Sequence, residues 1–212
     1  MKKGFDTTGD LTRFASSLVK KGYDFVCRYY NINNPSKNLT LAEAHVLSNA
    51  GLRMVAIWEN GYPITPGYFT HAAGVHDGTS AYYYALQQIG QPPSTPIYFA
   101  VDYDASAADV KGPVLSYFNG IRDGFNTISK NNPAYAIGVY GSGLTCTAML
   151  QAGTASFSWL AQSMGWGNSR SFAGYNIAQS LQITECPELG GVTGDPDKSP
   201  GDNEGSFVIT VS

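Results

Sequence analysis

The stretch "PIYFAVDYD" (Pro96–Asp104) decides the fold. An apolar, β-rich run of this kind belongs in a buried strand, and it ends abruptly in two aspartates, Asp102 and Asp104. Outward from it, short apolar runs alternate with helical patterns. "KKGFD" reads as a first strand. It is followed by "GDLTRFASSLVKKG", where Leu11, Phe14 and Leu18 keep helical spacing and Gly22 is a stop. "DFVCRYY" (Asp24–Tyr30) is a second strand. In "NLTLAEAHVLSNAG", Thr40 and Glu43 make a capping box and Gly51 ends the helix. "LRMVAIWE" is a third strand, and a Gly/Pro-rich loop then leads to a helix running to about Gly90.

After the fourth strand, "AADVKGPVLSYFNGIRDGFNTIS" is helical, with Gly112–Pro113 near its start or at a kink. "AYAIGVYG" is the fifth strand and "LTCTAMLQAG" the helix after it. "FSWLAQS" and "YNIAQS" are the sixth and seventh strands. The tail from Glu185 is rich in Gly, Pro and Asp and must hold the eighth, around Val192–Asp195 or around Ser206–Ile209. Such alternation gives βαβ units and a parallel sheet. About eight units predict an α/β protein with a single (β/α)8 TIM-type barrel over residues 1–212, compact and irregular toward the C-terminus. A doubly wound sheet is the alternative, but "DTTGD" follows the first strand where a phosphate-binding glycine pattern would stand.

Composition agrees with a folded globular chain. Of 212 residues, 43% are hydrophobic and 14% charged, which excludes disorder. A net charge of -3 offers no basic field for nucleic acid or anionic lipid, and no run suits a membrane helix. Cys27, Cys146 and Cys186 lie far apart with no CxxC, against a zinc site or a full disulfide framework. His45, His71 and His76 show no convincing ligand grouping, so neither metal nor cofactor is expected. The start, "MKKGFDTTGD", has two lysines but no apolar stretch after them and does not read as a signal peptide: the chain is cytoplasmic, or leaves by a route that reads no such peptide, or has lost an upstream segment.

In a TIM-type barrel the catalytic groups sit at the carboxyl ends of the strands. That rim reads Asp6, Arg28 with Tyr30, Glu59, Asp102 with Asp104, Tyr140, Gln162 and Gln179, completed by Asp195 or Asp197. Close carboxyls push one pKa up and leave the other charged, the division of labour that glycosidic cleavage requires. Asp6, Asp102, Asp104 and Glu59 are therefore the catalytic candidates. The bland readings are that Asp104 caps the helix after it and that Asp6 caps or turns "DTTGD". Tyr30, Trp58, Tyr62, Tyr103 and Tyr140 are candidate sugar-stacking rings, although an aromatic core explains the same composition. Arg28 is a charge inside a strand that should be buried. It is predicted to face the lumen and pair with Asp6 or Asp102, with a purely structural ion pair as the other reading.

At these residues the chain resembles the glycoside-hydrolase-like domain family, itself similar to the family-25 glycoside hydrolases, the lysozyme-like muramidases. "GFDTT", "CRYY", "LTLAEAHVLSNAGLRMVAIWE", "YFAVDYD", "GVYGSG", "WLAQSMGW", "GDPD" and "DNEGSF" carry the resemblance, in order and over nearly the whole chain. It implies a carbohydrate site at the carboxyl rim and a glycan substrate, peptidoglycan foremost. It also implies action at the cell wall or periplasm, as a lysin or as an effector with an immunity or delivery partner. In the muramidases the fourth strand ends in Asp-x-Glu with the Glu as proton donor, and the first strand supplies another Asp. Here those positions read Asp102, Asp104 and Asp6, so an Asp stands in place of the donor Glu, one methylene shorter. Glu59 could compensate. A non-catalytic wall-binding module on the same barrel is the alternative.

Overall fold

The computed structural model describes residues 1–130, 134–180, 189 and 191–210. Its elements are β1 (Lys2–Asp6), α1 (Ala15–Lys20), β2 (Phe25–Tyr30), α2 (Leu41–Ala50), β3 (Arg53–Trp58), α3 (His71–Tyr83), β4 (Pro96–Ala100), α4 (Ala107–Lys111), α5 (Pro113–Ser129), β5 (Ala136–Gly141), α6 (Gly143–Gln151), β6 (Phe157–Leu160), β7 (Ile177–Gln179) and β8 (Asp195–Ser199). The strands close into one eight-stranded barrel in sequence order. From β1 to β7 every neighbour is parallel. β8 runs antiparallel to both β7 and β1.

The chain is thus a mixed α/β barrel that departs from strict eightfold alternation. A reversed eighth strand closes it, and a 3-10 turn, Ser169–Ser171, stands between β6 and β7 instead of a helix. Neither segment expected for the eighth strand supplies it: the first contributes only Asp195. The second instead bridges Phe207 to Met54 at the edge of β3. The strand that does close the barrel, Asp-Pro-Asp-Lys-Ser, has the residues least suited to a sheet. It forms because β7 and β1 each offer it an edge.

Alternation along each strand separates two cores. Phe25, Cys27, Val55, Ile57, Tyr98, Ala100, Trp159 and Ile177 pack together in the lumen. Val26, Tyr30, Met54, Ala56, Trp58, Phe99 and Val101 face the helix layer. Cys27 and Cys146 are buried free thiols, and Cys186 lies outside the described residues. α2 is capped as expected at one side, with Thr40 Oγ1 accepting from the Glu43 amide at 3.2 Å. The Glu43 carboxylate does not return to the cap. Its Oε1 accepts from the Leu11 amide at 2.9 Å and from Arg28 at 2.9 Å. Gly112 divides the predicted long helix into α4 and α5, and Ser106 with Asp109 makes a capping box for α4.

Candidate functional site

At the carboxyl rim of the parallel strands the lumen opens into a cavity of about 170 Å³, lined by Asp6, Tyr29, Ile57, Glu59, Asp102, Tyr140, Trp159, Gln162, Gln179 and Asp195. Most are delivered by strand alternation, whereas Gln162 comes from the bend after β6. Tyr29 continues the Phe25–Cys27 face and Glu59 the Val55–Ile57 face. Asp102 follows Tyr98 and Ala100, and Tyr140 is opposite Ala100 in register. Because β8 is reversed, its first residue meets the rim: Asp195 pairs with Asp6 across β8 and β1.

Gln179 organises the floor. Its Oε1 accepts from the Tyr140 hydroxyl at 3.0 Å and the Gln162 amide at 3.2 Å. Two donors on the oxygen orient the amide, so Nε2 donates to Asp6 Oδ2 at 2.7 Å and Asp195 Oδ2 at 3.4 Å. The Tyr29 hydroxyl donates to the other oxygen of Asp6 at 3.0 Å. These donors favour a charged Asp6, yet burial outweighs them and the nearby Asp195 and Glu59 add to it, pushing its pKa up to about 7. Asp102 is also raised, by burial and then by Glu59, and Asp195 by burial. Glu59 accepts from Lys37 Nζ at 2.8 Å.

Two open wings extend the cavity. One, of about 400 Å³, shares Glu59 and Asp102 with it and runs past Asn31, Asn33, Lys37, Tyr62 and Ile64. The other, of about 340 Å³, shares Asp6, Tyr29 and Asp195 and runs past Thr7, Thr8 and Thr193. Tyr62 is 81% exposed, an open ring face beside the carboxyls.

Of the residues singled out from sequence, the structure gathers Asp6, Glu59, Asp102, Tyr140, Gln162, Gln179 and Asp195 around the cavity, with Tyr62 on a wing. Asp197 lies below it, buried, accepting from Trp159 Nε1 at 3.0 Å. Asp104 does not line the cavity. Its Oδ1 accepts from the Gly167 amide at 2.7 Å, tying the end of β4 to the β6–β7 connection. It caps nothing, since Ser106 caps α4. Tyr103 stacks on Phe69, its ring centroid 5.7 Å away.

Arg28 is the clearest correction. The predicted face is inverted: Val26, Arg28 and Tyr30 point to the helices, and Cys27 and Tyr29 to the lumen. Arg28 is fully buried and paired through Nε and Nη2 with the two oxygens of Glu43, at 2.9 and 3.0 Å. It also donates to the carbonyls of Thr7, Lys37 and Asn38. Helix-facing burial is tolerable because α2 brings the counter-charge. Tyr30 and Trp58 share that face and are wholly buried, Tyr30 donating to Gln91 at 2.8 Å, so neither reaches a ligand. Tyr29, Lys37 and Trp159 are site residues that the sequence pattern did not single out. The parity of Cys27 and Tyr29 was visible in the sequence. The position of Lys37, on a turn outside any strand, was not.

Known proteins share this architecture. A family model described as Rv2525c-like, glycoside hydrolase-like domain matches residues 16–193. The uncharacterized protein YbfG of Bacillus subtilis (strain 168) is 33% identical over 183 residues, 76% of this chain and 25% of that protein. The chain therefore spans about a quarter of the length of the curated relatives it matches. Among solved structures, the Tat-secreted protein Rv2525c of Mycobacterium tuberculosis, in complex with L-tartrate, superposes with a TM-score of 0.78. It does so at 20% identity, over 97% of this chain and 98% of that one. A family 25 glycosyl hydrolase from Bacillus anthracis follows at a TM-score of 0.52 and 11% identity, over 96% and 91% of the two chains.

Proposed function

The chain belongs to the Rv2525c-like, glycoside hydrolase-like domain family, and from that premise we propose that it hydrolyses an amino-sugar polymer of the cell wall, peptidoglycan foremost. One observation carries the reading: a single cavity is lined both by the buried Asp6, its pKa pushed up to about 7 chiefly by burial, and by Glu59, which accepts from Lys37 Nζ at 2.8 Å. In this reading Asp6 protonates the leaving glycosidic oxygen. Glu59 and Asp102 support positive charge on the sugar ring or activate water. Tyr62 and Tyr140 offer ring faces to neighbouring sugars. The Tat-secreted neighbour supports action outside the cytoplasm.

A wall-binding barrel without hydrolysis is the second reading. It is favoured by Asp104, which occupies the proton-donor position of the muramidase pattern but is engaged by the Gly167 amide outside the cavity. The test is incubation with purified peptidoglycan. New reducing ends support hydrolysis, whereas sedimentation with the polymer and no new ends supports the binder. If neither is seen, peptidoglycan is not the ligand.

A further inference from the structure

The turn that carries Lys37 is held with unusual thoroughness. Arg28 donates to the Lys37 carbonyl at 3.1 Å and to the Asn38 carbonyl at 3.3 Å. Asn38 Nδ2 donates to the Asn31 carbonyl at 2.6 Å, and the Leu39 amide to the Tyr29 carbonyl at 3.0 Å. Asn31 in turn donates to the Glu59 carbonyl. The buried Arg28–Glu43 pair thus anchors, from behind the barrel wall, a turn whose one long side chain reaches over the rim. The Lys37 side chain is only 15% exposed. Its ammonium stands 2.8 Å from Glu59 Oε1 and 4.8 Å from the centre of the Tyr29 ring, the same tyrosine that donates to Asp6. Among the described residues lining the cavity and its wings, Lys37 is the sole cation, against Asp6, Glu59, Asp102 and Asp195.

We infer that Lys37 is a positioning residue: its ammonium, fixed over the rim, holds the Glu59 carboxyl in the cavity as the counterpart of the buried Asp6. The inference rests on the hydrolytic reading above. Its physical core is that crowded carboxyls resist ionising together: burial favours the proton on Asp6, and a counter-ion favours the charged form of the carboxyl it touches. The pair is more sheltered than an exposed one, with Glu59 28% exposed, so water screens it less. Glu59 in turn raises the pKa of Asp6 on β1, Tyr29 on β2, Tyr68 after β3, Asp102 after β4 and Tyr140 on β5. None of these groups is positive, and among the described residues lining the cavity and its wings no second cation stands by to replace Lys37.

The experiment compares wild type, Lys37→Met, Lys37→Arg and Glu59→Gln in reducing-end release from peptidoglycan across pH, with thermal melts to confirm folding. Lys37→Met should lower kcat about tenfold or more with KM little changed. It should also move the acid limb of the profile to higher pH by about one unit, which a merely structural role would not do. Lys37→Arg should restore both. The inference is overturned if the Lys37→Met profile superposes on wild type. A change in KM alone would equally overturn it, as would a Glu59→Gln variant with full activity. If wild type releases no reducing ends, the hydrolytic reading fails by itself. A carbon-13 titration of the Glu59 carboxyl then decides the matter: an upward move in Lys37→Met supports the assignment, and an unmoved titration sinks it.

Discussion

At the scale of the residue, what matters is which face a side chain takes. Asp6 lies in the lumen, and its two hydrogen bonds do not offset its burial. If it is the acid, Asp6→Asn should lower cleavage by about 10²–10⁴-fold with the fold intact. Activity of the wild type should fall as pH rises through about 7, where Asp6 gives up its proton. Asp104→Asn, acting on a carboxylate tied to Gly167, should leave most activity in place. A reversal of those two results would return the proton to Asp104. Arg28 is one residue away in parity from the face predicted for it, and that changes its meaning from chemistry to structure. Arg28→Met strands Glu43 as an unpaired buried charge, so denaturant melts should show a loss of about 3–5 kcal/mol. Wild-type stability in that variant would contradict the pairing.

At the scale of the element, two features set the shape around the site. The first is the contact of α3 with α5. Gly74 and Gly78 on one helix face Gly120 and Gly124 on the other, close enough that backbone meets backbone. A Cβ at Gly78 would stand 2.8 Å from the Ile121 carbonyl oxygen. Gly78→Ala should therefore cost about 1–3 kcal/mol in a chemical melt, despite the better helix propensity of alanine. Unchanged stability would mean the helices can part freely. The second is Asp77, the buried acceptor between Tyr68 at 2.6 Å and Tyr117 at 2.7 Å. Tyr68 also donates to the Asn60 carbonyl at 2.7 Å, and Asn60 Oδ1 accepts from the Ile32 and Asn33 amides. This chain of bonds ties the β3–α3 connection, which carries Tyr62, to α3 and to the turn after β2.

At the scale of the whole molecule, the barrel concentrates carboxyls where water is scarce. Asp6, Asp102, Asp195 and Asp197 all bind protons more tightly than they would in an unfolded chain, chiefly through burial. The folded state thus holds more protons than the unfolded one above about pH 4. Their contribution to stability is fully present below the unfolded pKa and is lost as pH rises through the folded values, near 7 for Asp6. Thermal midpoints should fall from about pH 4 toward about pH 8. Asp6→Asn should weaken that fall, since a pKa that differs by one between the folded and unfolded chain is worth about 1.4 kcal/mol. A midpoint that rises over this range in both proteins would contradict the burial of these groups. How far all this was legible follows the range of the forces involved. Local pattern was enough for the barrel class, for β1 to β7 and for the strand-end placement of Asp6, Glu59, Asp102, Tyr140, Gln162 and Gln179, because apolar alternation and helix stops are written in neighbouring residues. It was not enough for β8, whose Asp-Pro-Asp-Lys-Ser forms a strand only between two edges already in place. Nor could it orient β2, where both faces are rich in large apolar side chains and the choice is made by Glu43 arriving on α2. Lys37 meets Glu59 across 22 positions of sequence, on a turn set by that same buried pair, and only the closed barrel brings the two together.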